Sequence, residues 1–319
     1  MSELSLAFDG RDPADVVLAK TEVAMHRGAS SIWLACHLFQ RDPVSTAGVL
    51  SGRHPGVKIE LVALSPYVLP PVYIAITATT LNEFFPGRIS LCLGVGAPAN
   101  LANAGIASAA ALGTMREAIR VCRALLAGGP VQIYGKQFQV RDQSLAIGRQ
   151  DVPILLASSS PKMLGLAGGE ANGVVLSATT SVEFSSWCLE QVEAGSVSEN
   201  FRRHAFVFAA VSEDASTAYD GVRRSLANVL RGRHHARNLE FAGNRLDQNE
   251  VSMAIAAGDM AQAESNISDR IGKTHSAAGS PEIFRSRLDA YRAMGIDNLV
   301  LSSVRTPEQV DAVLSAASG

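Results

Sequence analysis

One unit of the fold is indicated by Val152–Ser177, which reads VPILLASSSPKMLGLAGGEANGVVLS. Pro153–Ala157 is a short apolar run, long enough for one buried strand. Three serines follow it, and Ser160 directly before Pro161 predicts the N-cap and the first position of a helix. A second apolar run ends the stretch at Ser177. The order strand, turn, helix, strand is that of a β/α repeat.

The turn at Ser158, Ser159 and Ser160, with Lys162 beside it, predicts a phosphate site. Exposed backbone N–H groups and the positive end of a helix dipole favour an anion at such a position. An ordinary serine-rich turn between strand and helix is the alternative, because turns are commonly rich in serine. The residues alone leave both interpretations open.

Length, composition and charge exclude several classes of protein. The 319 residues predict one large α/β domain or two ordinary ones. With 47% hydrophobic and 18% charged residues, the chain has enough apolar side chains for a sizeable core and is not expected to be disordered. Its net charge of −2 gives no electrostatic basis for binding nucleic acid or an anionic membrane.

The termini and the cysteines indicate a soluble protein. The first residues show no charged-then-apolar signal pattern. No apolar run reaches the roughly 18 residues that a membrane span requires. Cys36, Cys92, Cys122 and Cys188 have no C-x-x-C spacing, so no structural disulfide is expected. We therefore expect a cytoplasmic location.

Strand and helix patterns alternate along the chain. Strands are expected at Leu4–Phe8, Ser31–Ala35, Lys58–Leu64, Ser90–Leu93, Pro153–Ala157, the run that ends at Ser177, His204–Val211 and Asn298–Ser302. Such alternation predicts a parallel sheet, and about eight units in a chain of this size predict an α/β fold of the (β/α)8 or TIM-barrel type. A doubly wound sheet is the alternative, but it would more often bring a linker and a second domain, and no linker is found.

Other connections are predicted from glycine and small residues. Turns that begin at Gly28, Gly169 and Gly295 are typical of glycine-capped helix ends, and they mark the stability face of the barrel. Val131–Val140 predicts a hairpin, and residues 97–112 predict a loop. The chemistry is therefore expected at the opposite, C-terminal ends of the strands.

The C-terminal ends of the strands contribute mostly glycine, serine and backbone. They are Asp9-Gly10-Arg11, Cys36-His37, Ser65-Pro66-Tyr67, Gly94-Val95-Gly96, Ser158–Ser160, Ser177–Thr180, Ser212-Glu213 and Ser302-Ser303. His37 is the only histidine among them and is a candidate general acid or base, or else a loop histidine that satisfies the local backbone. Gly94 and Gly96 would let the backbone approach a flat ligand, or would only form a tight turn.

Several kinds of active site are not expected. His234-His235 has no third ligand at a spacing suited to a metal. No Ser–His–Asp set is assignable, and G-x-S-x-G is missing. Carboxylates at the strand ends are limited to Asp9 and Glu213, which disfavours hydrolysis by paired acids. A pocket of this composition suits a redox cofactor that supplies its own chemistry.

The chain resembles the luciferase-like monooxygenase superfamily, above all the branch of the coenzyme F420-dependent methylenetetrahydromethanopterin reductases. The segments that carry the resemblance are Ser31–Pro43, Leu64–Gly96, Met115–Phe138, Val152–Ser177 and Gly279–Ser302, which follow one another in the family's order. The resemblance implies one domain over residues 1–319, with a helical insertion at 231–280 before the last strand. It also implies a homodimer and a small-molecule substrate.

The resemblance further implies coenzyme F420, or alternatively FMN, at the C-terminal ends of the strands. His37 matches a family histidine near the reactive ring. A non-proline cis peptide bond is expected in the bulge of the third strand, at Val62-Ala63 or Ala63-Leu64. The residues that would bind the cofactor are Val62, Ala63, Leu64, Gly94, Gly96, Ala157, Ser158, Ser159, Ser160, Lys162, Ser177 and Thr180.

The chain departs from the family pattern at three places. Cys36 replaces the acidic residue that commonly precedes the strand-two histidine, and Ala97-Pro98-Ala99 replaces a glycine and an acidic residue. Leu69 and Pro70 replace basic and histidine positions. The polar groups of the pocket are therefore fewer, which disfavours a highly charged substrate. Arg231, His234, His235 and Arg237 are candidates for replacing them.

Three functions follow, in order of preference. The first is an oxidoreductase that transfers hydride between reduced F420 and a small organic substrate. The second is an FMN-dependent monooxygenase of the same fold. The third is a non-catalytic relative that keeps the barrel as a binding or structural protein, and the missing carboxylates at Cys36 and Ala97–Ala99 are its support.

Overall fold

Helices and strands alternate in the computed structural model, which describes residues 2–195 and 197–318. The elements are β1 (Glu3–Phe8), α1 (Ala14–His26), β2 (Ile32–Ala35), α2 (Pro43–Arg53), β3 (Ile59–Leu64), α3 (Pro71–Phe84), β4 (Ile89–Leu93), α4 (Pro98–Asn103), α5 (Ala111–Leu126), β5 (Val131–Tyr134), β6 (Gln139–Gln143), β7 (Ile154–Ala157), α6 (Pro161–Glu170), β8 (Gly173–Leu176), α7 (Val182–Glu193), β9 (Arg202–Val211), α8 (Ala215–Leu230), α9 (Ala236–Phe241), α10 (Gln248–Ala256), α11 (Met260–Ser265), α12 (Asp269–His275), β10 (Ala277–Gly279), α13 (Pro281–Ala293), β11 (Asn298–Ser302) and α14 (Pro307–Ser318).

Eight of the described strands close a parallel barrel. The order around it is β1, β2, β3, β4, β7, β8, β9 and β11, and β11 pairs back to β1 with Glu3 opposite Asn298. The connection from each strand to the next contains a helix, which lies on the outside of the barrel. Both faces of each strand are therefore covered, and for this reason the strands are apolar runs. The predicted (β/α)8 barrel is confirmed.

The interior of the barrel is filled by side chains and is not a channel. Its apolar part consists of Ala7, Trp33, Val62, Cys92, Leu155, Val175 and Val300. The Trp33 ring lies 5.1 Å from the ring of His204 and 5.4 Å from that of Phe206, measured between centroids. Burial lowers the pKa of His204 to about 3, and the charge of Arg202 adds to the effect, so this histidine is neutral in the folded protein. The packed layer closes the barrel beneath its C-terminal mouth.

Residues 231–280 form the predicted helical insertion before the last strand. They contain a short 3-10 turn, Arg233–His235, the helices α9 to α12, and β10, which pairs in parallel with the end of β9. The insertion packs on α8 through its own apolar cluster, which includes Leu226, Leu239, Val251 and Ile271. The insertion is therefore attached to the barrel by a buried apolar interface.

Two local predictions need correction. Residues 97–112 were expected to be a loop, but Pro98–Asn103 forms α4, with proline at its first position, where the missing N–H costs nothing. Gly169 lies inside α6 and does not end it; the helix ends at Glu170. Glycines serve close packing here, because a Cβ on Gly168 would collide with the Val192 carbonyl of α7, and a Cβ on Gly169 would lie 3.0 Å from the Gly195 carbonyl oxygen.

The structure contains the glycine caps at Gly28 and Gly295 and the hairpin that the sequence predicts. Gly28 and Gly295 have φ angles of +78° and +86°, as glycine caps require. The hairpin forms from β5 and β6, although its second strand runs to Gln143 and not to Val140. All four cysteines are free thiols. No helix among the described residues is long and apolar enough to cross a membrane.

Candidate functional site at the barrel mouth

The C-terminal ends of five neighbouring strands bring most of the predicted site residues together. The Cys36 N–H donates to the Val62 carbonyl at 2.6 Å, which joins the end of β2 to that of β3. The Gly94 N–H donates to the Leu64 carbonyl at 3.1 Å. The Ser158 N–H donates to the Val175 carbonyl at 3.2 Å, which joins the turn after β7 to β8. A continuous surface therefore runs from His37 to Ser177.

The middle of this surface is the bulge of β3. The peptide bond between Val62 and Ala63 is cis, as expected from the resemblance, and the pairing of β3 with β4 shifts register between Leu61 and Leu64. A Cβ built on Gly94 would lie 2.7 Å from the Ala63 Cβ and 3.8 Å from the Ala157 Cβ. The strands approach here so closely that only glycine fits at position 94.

Gly96 and Ser65 fix the segment that follows β4. Gly96 has a φ of +92°, a conformation that other residues adopt only with strain. The Ser65 hydroxyl donates to the Val95 carbonyl at 2.8 Å. Gly96 is exposed, so its backbone faces solvent at the rim of the mouth.

His37 lies at one end of this surface and is exposed to solvent. The surrounding walls of the mouth still remove part of its hydration, which lowers the pKa of the imidazole. The Arg11 guanidinium lowers this pKa further, and the Asp9 carboxylate opposes it. Arg11 is itself tied to Asp9 by an ion pair of 2.8 Å. His37 is therefore neutral at neutral pH and can either accept or donate a proton.

The Cys36 thiol cannot act as the carboxylate that the resemblance would imply at its position. Burial raises the pKa of its thiol to about 11, and the negative charge of Asp42 adds to the shift. The thiol is protonated at neutral pH and is neither a base nor a reactive nucleophile. His37 is therefore the candidate proton acceptor directly after β2.

The serine turn lies at the other end of the surface. Ser160 occupies the predicted N-cap position of α6, with φ −93° and ψ 139°, but its side chain caps no N–H group. Instead the Ser158 hydroxyl accepts a hydrogen bond of 3.1 Å from the Ser160 N–H. Lys162 is exposed in the first turn. Pro161 has no N–H, and the Met163 and Leu164 N–H groups donate to the Ser160 carbonyl at 3.1 and 2.9 Å. The Lys162 N–H, together with the Lys162 ammonium, is therefore the group of this turn that can bind an anion.

The next loop, Ser177–Ser181, follows β8. The Ser177 hydroxyl is buried and has no partner within the described residues. Thr180 is 1% exposed, and its hydroxyl donates to the Ser177 carbonyl at 3.2 Å. Contact between these hydroxyls and a phosphate stays a prediction.

The basic residues that were candidates for entering the pocket have other surroundings. The Arg237 guanidinium lies 4.0 Å from the centre of the Trp187 ring. His235 is 4% exposed, and burial lowers its pKa to about 3. Two residues that the sequence did not indicate, Asn238 and His275, instead bond the backbone of the Ser177–Ser181 loop. No pattern of spacing marks them.

Metal ligation is a separate question from cofactor binding. Within the part of the chain that the structure describes, no group of three or more His, Cys, Asp or Glu side chains could hold a metal ion.

The chain is similar to known proteins over nearly its whole length. Residues 10–298 match the family model described as luciferase-like monooxygenase. The 5,10-methylenetetrahydromethanopterin reductase of Methanolobus tindarius is 26% identical over 317 residues, which are 97% of this chain and 96% of that protein.

Two solved structures share the whole fold. The coenzyme F420-dependent tetrahydromethanopterin reductase of Methanopyrus kandleri superposes with a TM-score of 0.88 at 20% identity, over 99% of this chain and 97% of the other. An F420-dependent secondary alcohol dehydrogenase, in complex with an F420-acetone adduct, gives 0.81 at 17% identity over 99% of both chains. The chain belongs to the luciferase-like monooxygenase family.

Proposed function

We propose that the protein is an oxidoreductase that transfers hydride between reduced coenzyme F420 and a small organic substrate. The observation that carries the proposal is the order of groups along the barrel mouth. A neutral histidine lies at one end, the β3 bulge packed closely against Gly94 in the middle, and a helix N-terminus without a side-chain cap at the other end. In that order, these groups would face the reactive edge of the cofactor ring, the plane of the ring and the phosphate.

The residues present fit such a cofactor. At the centre of this surface, Gly94 and Ala63 carry no side chain larger than a methyl group. The first turn of α6 can accept a phosphate, and the unpartnered hydroxyl of Ser177 can donate to it. When bound, a reduced deazaflavin supplies a hydride. The backbone of β3 and β4 would fix the plane of the ring, and the packed interior beneath it would exclude water.

His37 would hold or move the proton that accompanies hydride transfer. Because its imidazole is neutral, it can accept a proton from a substrate hydroxyl, or return one after acquiring it from solvent. The exposed Phe39 ring, two residues further on, offers apolar surface beside it. The mouth therefore favours a small substrate of low charge. Relatives and solved structures whose names state F420 dependence support this choice of cofactor.

An FMN-dependent monooxygenase is the second candidate, because the family model carries that activity in its description. The helix N-terminus at Ser160 would serve the phosphate of FMN as well as that of F420. A barrel that only binds a ligand is the third, and the protonated thiol at Cys36 in place of a carboxylate is its support.

Titration of both cofactors by fluorescence quenching tests the proposal. We expect saturable binding of F420 with a dissociation constant at least about tenfold below that of FMN. A preference of the same size for FMN would favour the monooxygenase. Absence of saturable binding of either cofactor would exclude both enzymes.

We also propose that the protein is a homodimer that associates through α3. This helix exposes Val72, Tyr73, Ile76 and Phe84, which are 37%, 58%, 39% and 71% exposed. Exposed apolar residues grouped on one helix are typical of an interface between proteins.

The substitution Ile76→Asp is expected to convert a dimer to a monomer, because it places a charge within an apolar interface. Size-exclusion chromatography with light scattering measures the change. Met253→Asp is the matched control, since Met253 is a similarly exposed apolar residue on α10. A monomeric wild-type protein at tens of micromolar would refute the interface.

A further inference from the structure

The loop Ser177–Ser181, which connects β8 to α7, has a conformation that its own residues do not favour. Thr179 has a φ of +73°, and its side chain is 1% exposed. A β-branched residue rarely adopts a positive φ, because its Cβ crowds the backbone. Contacts from outside the loop must therefore hold it.

Two buried side chains of the insertion converge on the same backbone atom. The Thr179 carbonyl accepts from Asn238 Nδ2 at 2.8 Å and from His275 Nδ1 at 2.7 Å. Asn238 and His275 are 0% and 1% exposed. A carbonyl can only accept, so His275 must carry its proton on Nδ1. Its Nε2 has no partner among the described residues.

The contacts continue along the loop. Asn238 Oδ1 accepts from the Ser181 N–H at 3.0 Å, so one amide bonds both sides of the turn. The Tyr291 hydroxyl of α13 donates to the Thr180 carbonyl at 2.6 Å. Three helices, α9, α12 and α13, therefore fix three consecutive residues of this loop. Buried bonds of this kind cost more to break than exposed ones, because the freed groups find no water.

The loop they fix is part of the candidate cofactor site. It begins at Ser177, whose buried hydroxyl has no partner in the described structure. It leaves the barrel next to the serine turn, since Ser158 bonds to Val175 on β8. A shift of the loop would therefore move the Ser177 hydroxyl away from the first turn of α6.

We propose that Asn238 and His275 are positioning residues that set the affinity for the phosphate of the cofactor by holding the Ser177–Ser181 loop. This inference rests on the proposed function and assigns a role to the insertion. Neither residue touches the reacting atoms; both act through the loop backbone.

The test compares two ligands that differ only in the phosphate-bearing tail. One is F420, and the other is its deazariboflavin core, which ends at the ribityl hydroxyl and lacks the phosphate. For Asn238→Ala and His275→Leu we expect F420 affinity to fall by about tenfold, while that of the deazariboflavin changes by less than about twofold. His275→Asn should retain most of the F420 affinity, because its amide nitrogen can replace Nδ1 as a donor.

A matched control separates positioning from loss of stability. Asn244 is another buried amide of the insertion, 8% exposed, and its Nδ2 donates to Thr274 outside the loop. Asn244→Ala should lower the melting temperature by a similar amount and leave F420 affinity unchanged. Hydrogen exchange at the Thr179 and Thr180 amides of the free protein should accelerate in Asn238→Ala and not in Asn244→Ala.

Each contrary outcome identifies what has failed. If wild type binds F420 and the Asn238 and His275 variants bind it equally well, the positioning role is wrong and the proposed function stands. Equal losses for F420 and the deazariboflavin would also overturn the role. If wild type binds neither ligand, both proposals fail together.

Discussion

Replacing His37 by alanine is expected to lower the turnover number by about 100-fold or more, which is the usual contribution of a general acid or base. The dissociation constant of F420 should change by less than about threefold, because the exposed imidazole lies at the ring end of the site and away from the phosphate end. The loss should therefore appear in turnover and not in cofactor affinity.

Steady-state kinetics at saturating cofactor, with a substrate that wild type converts, measure this effect. His234→Ala is the control, since it removes another exposed histidine, in the insertion. Because the pKa of His37 is lowered, wild-type activity should persist as the pH falls below the ordinary histidine pKa, and then decline once the imidazole is protonated. Turnover equal to wild type in His37→Ala would remove His37 from the reaction.

Substituting Gly94 by alanine is expected to destabilise the protein by about 1–3 kcal/mol, the usual cost of overpacking, and to weaken F420 binding by at least about tenfold. The new Cβ would lie 2.7 Å from the Ala63 Cβ, so either β4 or the β3 bulge must move. Both form the surface proposed to support the ring. Denaturant unfolding and cofactor titration measure the two effects.

A second substitution makes this prediction specific. Ala63→Gly removes the atom that collides, so it should restore most of the stability and affinity in the Gly94→Ala background. Gly113→Ala is the matched control, because a Cβ on Gly113 in α5 meets nothing within 4 Å. It should be neutral or slightly stabilising. Wild-type affinity in Gly94→Ala, or no recovery in the double variant, would contradict the close-approach account.

The barrel was predictable because its signals are local. Asn298–Ser302 forms the predicted strand with the same boundaries, since an apolar run specifies it. α4 was missed because its small residues carry little periodicity, and its N-cap has no side-chain bond. β10 was missed because its three residues form a strand only by pairing with Ala209–Val211.

The candidate site was predictable where strand order determines proximity. The order of strands in a barrel brings His37, Gly94 and the Ser158–Ser160 turn to one mouth. The resemblance limited the cis peptide bond to Val62-Ala63 or Ala63-Leu64, and the structure has it at the first of these. Asn238 and His275 were not predictable. They reach Thr179 from 59 and 96 residues away, through an insertion whose packing no short motif encodes.

The structure of the complex with F420 tests the central claim most directly, by the positions of two groups of the bound cofactor. The account predicts that the phosphate lies within hydrogen-bond distance of the first turn of α6 at Ser160. It also predicts that the deazaflavin ring lies against Gly94 and Ala63, with its reactive edge toward His37. A cofactor bound with its phosphate near His37, or outside the mouth of the barrel, would contradict it.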